Sequence, residues 1–219
     1  MVDRPSIEGV VFDVGYTLVD ETRRWHEWAR WIKVEPEQLM SSLRNAIAEG
    51  VHHREALKRL APDLDLGAAR AEMRRDEFIE EDLYPDVSPC IGRLRAAGIK
   101  LGAAGNMSAD VETFLAGSGL GFDMIGSSGR WGVEKPNHGF FRHVIDAMRM
   151  PAQSLMYVGD RLDNDIGPAA RAGMRPVFLR RGPWAEILEA GRDLSDAYAV
   201  IDSLEELPSV FARPASMTR

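Results

Sequence analysis

Residues 7–20 read Ile-Glu-Gly-Val-Val-Phe-Asp-Val-Gly-Tyr-Thr-Leu-Val-Asp. The apolar run Ile7–Phe12 is short and stops at Asp13 and Gly15, which predicts a buried β-strand. The next sixty residues have a different texture. From Glu21 to Glu80 the pattern is helical: Trp25, Trp28 and Ile32, then Leu39, Leu43 and Ile47, recur at three- and four-residue spacing. Pro36, Gly50, Pro62 and Gly67 divide this block into about four helices.

After Tyr84-Pro85 short strand-like runs alternate with helical stretches. Strands are predicted at Ile7–Phe12, Ile99–Ala104, Asp123–Ile125, Ser154–Val158, Arg175–Leu179 and Ala197–Ile201. Helices are predicted at 87–97, 109–117, 137–149, 164–172 and 203–211. Such alternation argues for a doubly wound parallel sheet, the α/β class, with helices on both faces. The first strand belongs to that sheet, so the helical block is an insertion after strand one. Residues 1–19 and 84–219 then form the core and residues 20–83 the insert, with the last residues frayed.

Composition excludes several classes of function. The 219 residues carry 27 basic and 34 acidic side chains, a net charge of −7 with no long Lys/Arg cluster, so no nucleic-acid partner is expected. No apolar run approaches the roughly 20 residues that span a bilayer, so no membrane partner is expected. The opening MVDRPSIEG lacks the shape of a signal peptide, and the cytoplasm is the expected compartment. The single Cys90 has no internal disulfide partner and reads as a small buried thiol. The sequence sets no oligomeric state.

In open α/β sheets chemistry gathers at the carboxyl ends of the strands. Strand one is followed by Asp13-Val14-Gly15-Tyr16-Thr17, strand two by Gly105-Asn106-Met107-Ser108 and strand three by a loop reaching Glu134-Lys135-Pro136. Strand four ends in Gly159-Asp160, followed by Asp163-Asn164-Asp165. Singly these have plain explanations: Asp13 and Asp160 as caps, Lys135 as a solvated lysine, Ser108 as a helix N-cap. Together, Asp13, Asp160 and Asp165 are predicted to converge, with Asp163 close by and Lys135 as the matching cation. Such carboxylates repel one another or shift their pKa values unless something neutralises them. A hard divalent cation with oxygen ligands does so, and Mg²⁺ is the expected cofactor. Metal, lysine and nearby helix N-termini together suit a phosphate-like dianion.

The order VVFDVGYTLVD, a GN loop after a strand, EKP and YVGDRLDND resembles the four motifs of the haloacid dehalogenase superfamily. The resemblance runs from Ile7 to Ile201, and the family's small helical cap matches the insert at 20–83. It implies a Rossmann-like core and an enzyme in which Asp13 is the nucleophile, forming an aspartyl phosphate from a small phosphorylated substrate. Asp13, Asp160 and the backbone carbonyl of Gly15 would hold Mg²⁺, with Asp165 in support. Lys135 would neutralise the nucleophile and phosphoryl oxygens, Asn106 would offer its backbone N–H to them beside Gly105, and Thr17 would orient the first loop.

Two positions depart from the pattern. The family usually has an acid/base Asp two residues after the nucleophile; here it is Gly15. The Ser or Thr of the second motif is Gly105. A phosphatase could borrow an acid from Tyr16, Asp20, Glu21, His52 or His53. Carbon–halogen or carbon–phosphorus hydrolysis needs no such proton, but the acidic GDRLDND loop argues against a metal-free dehalogenase. A phosphonate hydrolase would need a cap lysine, Lys33 or Lys58. The third reading is a ligand-binding or regulatory protein that keeps the fold. In the cap, Trp25, Trp28 and Trp31 are predicted to form a helical core or to stack on a substrate, Trp131 to border the pocket or pack a loop, and Asp20 and Leu83–Asp86 to act as a hinge.

Overall fold

The first strand, β1 (Gly9–Phe12), is buried along its whole length in the computed structural model, which describes residues 6–73 and 78–211. Its side chains alternate between two apolar layers. Val10 and Phe12 join one core cluster, while Val11 points into another on the opposite face. A strand covered on both faces has no polar side to show, which is why its sequence is uniformly apolar.

Among the described residues the chain then enters four α-helices: α1 (Thr22–Trp31), α2 (Pro36–Ala48), α3 (Arg54–Leu60) and α4 (Leu66–Met73). Pro36 opens α2 where no backbone donor is needed. Gly67 lies within α4 rather than between helices, because Asp65 caps that helix by accepting from the N–H groups of Gly67 and Ala68. The part of the helical block at 74–77 and the tail from 212 lie outside the described residues, as do residues 1–5.

The chain re-enters the core through α5 (Val87–Ala96), β2 (Lys100–Gly105), α6 (Ala109–Gly117), β3 (Met124–Ser127), α7 (Ser128–Trp131) and α8 (His138–Met148). It continues with β4 (Leu155–Gly159), α9 (Gly167–Arg171), β5 (Arg175–Leu179), α10 (Gly182–Leu188), β6 (Ala199–Ile201) and α11 (Leu207–Phe211). The six strands are all parallel in the order β3-β2-β1-β4-β5-β6. Helices α5, α6 and α11 cover one face through Ile91, Leu115 and Val210; α8 and α9 cover the other through Phe141, Val144 and Ala169.

Two predicted helices are shorter than their apolar spacing suggested. The stretch 164–172 divides into a π-helical turn, Leu162–Ile166, and α9; 203–211 divides into a 3₁₀ turn and α11. Helix α10 went unpredicted, although Gly182-Pro183 followed by Trp184, Ile187 and Leu188 at helical spacing carries the signal. It matters, because Trp184 and Leu188 share an apolar cluster with Trp25, Leu39 and Leu43 of the helical insert. Arg44 of α2 also pairs with Glu186 at 2.7 Å.

The two connections between core and insert lie side by side. Asp20 N–H donates to the carbonyl of Asp82 (2.7 Å), and Tyr84 N–H to that of Leu18 (3.0 Å). The Arg23 guanidinium grips both oxygens of Asp82.

Candidate active site

In the observed strand order β1 and β4 are neighbours from which the chain departs in opposite directions, so a crevice opens beyond their carboxyl ends. Asp13 follows β1 and Asp160 follows β4, and the backbone N–H of Asp13 donates across the seam to Val158 (2.8 Å). The π-helical turn after β4 brings in Asp165. Carboxylate oxygens of Asp13, Asp160 and Asp165 lie within 4.8 Å of one another, all buried.

Lys135 enters from the loop before α8, its ammonium 2.6 Å from Asp13 Oδ1 and 2.6 Å from Asp165 Oδ1. One ammonium among three carboxylates leaves two negative charges in a buried space. Burial, then the Asp165 and Asp13 charges, holds the Asp160 carboxyl well above its ordinary range. Burial and the Asp13 charge also push Asp165 up to about 6, against the opposing charge of Lys135. Burial alone would lower the Lys135 pKa, but the two carboxylates outweigh it and raise it well above normal. Asp160 Oδ2 is buried with no hydrogen-bond partner, an atom that a cation would satisfy. The three-carboxylate group can therefore hold a metal ion.

The lysine is fixed by groups the sequence did not single out. Tyr157 and Phe140 place their rings 5.6 and 5.9 Å from its ammonium, and Tyr157 Oη donates to the carbonyl of Ala104 (2.8 Å). Asn106 was expected to act through its backbone. Its side chain clamps the Lys135 backbone, Nδ2 donating to Lys135 O (2.9 Å) and Oδ1 accepting from Lys135 N–H (2.7 Å). Asp165 Oδ2 accepts from the Arg161 N–H at 3.0 Å.

Other residues settle differently. Asp163 turns outward to pair with Arg161 at 2.7 Å and stays out of the cluster. Arg161 is a second cation beside the site, its guanidinium stacked over Trp184 at 5.2 Å. Thr17 is fully buried beside the loop with its hydroxyl lacking a hydrogen-bond partner. A methyl group placed on Gly105 would lie 2.7 Å from Asp13 Oδ1, so in this geometry the glycine admits the Asp13 carboxylate against β2. Ser108 occupies the N-cap position of α6 but makes no side-chain cap hydrogen bond.

Trp25 is buried, Trp28 half-buried and Trp31 exposed, because three-residue steps walk round a helix of 3.6 residues per turn. Trp131 stacks on His143 and meets Phe140 edge-on, which is loop packing. His53 lies edge-on to Trp25 and Trp184, while His52 is exposed. Lys33 and Lys58, the two cap lysines, are both exposed, and Lys58 pairs with Glu55 on its own helix.

Residues 7–173 match the haloacid dehalogenase-like hydrolase family. A glyceraldehyde 3-phosphate phosphatase of Methanopyrus kandleri is 31% identical over 204 residues, covering 83% of this chain and 87% of that one. Phosphatase MT3486 of Mycobacterium tuberculosis is 28% identical, covering 86% and 84%. Among solved structures, the HAD-hydrolase YfnB of Bacillus subtilis, bound to magnesium, superposes with a TM-score of 0.72 at 21% identity over 95% of this chain and all of that one. None of the described helices is long and apolar enough to cross a membrane. With its sheet order, its strand-end carboxylates and these matches taken together, the chain belongs to the haloacid dehalogenase-like hydrolase family.

Proposed function

We propose that this hydrolase is a Mg²⁺-dependent phosphatase that acts on a small phosphorylated metabolite through an aspartyl phosphate at Asp13. The observation carrying this reading is the contact of Lys135 Nζ with Asp13 Oδ1 at 2.6 Å, inside the buried group of three carboxylates. The phosphatase names of the relatives support a phosphoryl substrate, and the Methanopyrus kandleri relative suggests a compact one. Residues 20–83 serve as a cap over the core formed by 1–19 and 84–219, and the cytoplasm suits the lone thiol of Cys90.

Asp13, Asp160 and the Gly15 carbonyl would hold the ion, with Asp165 in support; the unpartnered Asp160 Oδ2 fits that role. When bound, Mg²⁺ supplies positive charge against the phosphoryl oxygens. The remaining work belongs to the chain. Lys135 steadies the Asp13 carboxylate and offsets developing negative charge, the Asn106 backbone N–H meets phosphoryl oxygens beside Gly105, and the buried Thr17 orients the first loop. Asp13 attacks phosphorus, the ester oxygen departs, and water then releases phosphate from Asp13.

Hydrolysis of p-nitrophenyl phosphate tests the reading. Turnover is expected with Mg²⁺ and lost with EDTA or in Asp13→Asn; activity persisting in EDTA would overturn it.

A further inference from the structure

A phosphatase needs a proton for its leaving alkoxide and a base for the attacking water, and Gly15 offers neither. The chain after β1 turns back sharply: the N–H groups of Leu18 and Val19 both donate to Val14 O, and Tyr16 N–H donates to Val19 O (2.8 Å). This turn returns the start of α1 to the nucleophile loop. A methyl group on Gly15 would lie 2.6 Å from Glu21 Oε1, 2.9 Å from its Cδ and 3.3 Å from Oε2. Its three nearest neighbours are thus all atoms of one carboxyl group, which occupies the volume a side chain at position 15 would fill.

None of the other candidate groups is among the atoms nearest to position 15. Asp20 Oδ1 accepts from the Thr22 N–H at the start of α1. Asp13 and Asp165 bind Lys135, and Asp163 pairs outward with Arg161. His52 accepts from the Arg54 N–H, and His53 is wedged among aromatic rings. Glu21 is half-buried, and after burial its charge is the largest influence raising the pKa of Tyr16, the residue next to Gly15.

We propose that Glu21 is the general acid and base of this site, its carboxyl group reaching from the start of α1 into the space that Gly15, two residues after Asp13, leaves open. This rests on the phosphatase reading above. In the first half-reaction Asp13 Oδ bonds to phosphorus, the bond from phosphorus to the ester oxygen breaks, and protonated Glu21 gives its proton to that oxygen. In the second, the Glu21 carboxylate takes a proton from water as the water oxygen bonds to phosphorus. The bond from Asp13 to phosphorus then breaks, releasing inorganic phosphate and restoring both carboxyl groups to their starting states.

The experiment compares wild type, Glu21→Gln, Glu21→Ala and the double variant Glu21→Ala/Gly15→Asp. The substrates are an alkyl phosphate and p-nitrophenyl phosphate, with acid-quenched phosphoprotein measured alongside release of phosphate and nitrophenol. In Glu21→Gln, alkyl phosphate turnover is expected to fall about 100-fold or more. Nitrophenolate needs no proton to leave, so Glu21→Gln should give a stoichiometric nitrophenol burst and accumulate phosphoprotein. That burst also reports a folded site. Because position 15 and Glu21 share one space, the double variant should recover roughly tenfold or more over Glu21→Ala. The proposal is overturned if Glu21→Gln turns over the alkyl ester at nearly the wild-type rate, if it shows no burst, or if the double variant gains nothing. A wild type that releases no phosphate from either ester, with Mg²⁺ present, overturns the phosphatase reading instead.

Discussion

Asn106 and Lys135 hold each other by two hydrogen bonds, side chain to backbone in both directions, at 2.9 and 2.7 Å. The pair joins the loop after β2 to the loop before α8, and so sets how far the lysine can advance toward Asp13. In Asn106→Ala two backbone groups lose their partners, at a cost of about 1–3 kcal/mol. Turnover is expected to fall about 10- to 100-fold as the ammonium shifts. Steady-state kinetics should place most of that loss in kcat, and an unchanged kcat would show that the clamp does not position Lys135.

The cation is expected to stabilise the fold as well as activate the enzyme. At a Mg²⁺ concentration of 100 times Kd the gain is about 2.7 kcal/mol, so thermal unfolding should move up by roughly 5–10 °C. EDTA should remove that shift, and Asp160→Asn should remove most of it. Equal shifts in wild type and Asp160→Asn would place the ion elsewhere.

Trp184 of α10 is buried between the core and the insert, 5.6 Å from Tyr16 and in one cluster with Trp25 and Leu43. Trp184→Ala should cost about 3–5 kcal/mol in denaturant unfolding. It should also raise hydrogen exchange in α1 and α2, because their apolar faces share the lost contact. An exchange increase confined to β5 and β6 would contradict this.

Burial pushes the Cys90 thiol up to about 12 from 9.0, with the Arg93 charge opposing and the Asp86 charge adding. The folded state therefore favours the protonated thiol. Its contribution to stability is fully present below pH 9 and is lost as pH rises toward 12. Native protein at pH 8 should resist a maleimide that labels it fully in denaturant; rapid native labelling would show that the thiol is accessible.

Much of the sheet was legible because parallel strands covered on both faces leave a local mark. The run through Val10, Val11 and Phe12 and the stretch Pro176–Leu179 are apolar by themselves, whatever lies beside them. Three-residue tryptophan spacing was less informative, since it drifts round a helix, and only Trp25 of the three is buried. Helix α10 escaped because it is short and its partners, Trp25 and Leu43, lie far away in the chain. Asp163 looked like Asp165 in sequence, but the π-helical turn sends them to opposite sides.

By itself the sequence determined which chemistry was possible. Carboxylates after β1 and β4, a lysine before α8 and a glycine two residues after Asp13 are facts of residue type and strand ending. The tertiary structure alone decided which groups meet. Lys135 bridges to Asp165 across 30 positions, Asn106 clamps a backbone 29 positions away, and Glu21 is folded over Gly15 by a turn whose bonds are closed by Val14 and Val19. Those approaches depend on strand register and loop path, and a difference of one ångström there separates an ion pair from a solvated charge, so no local pattern could have recorded them.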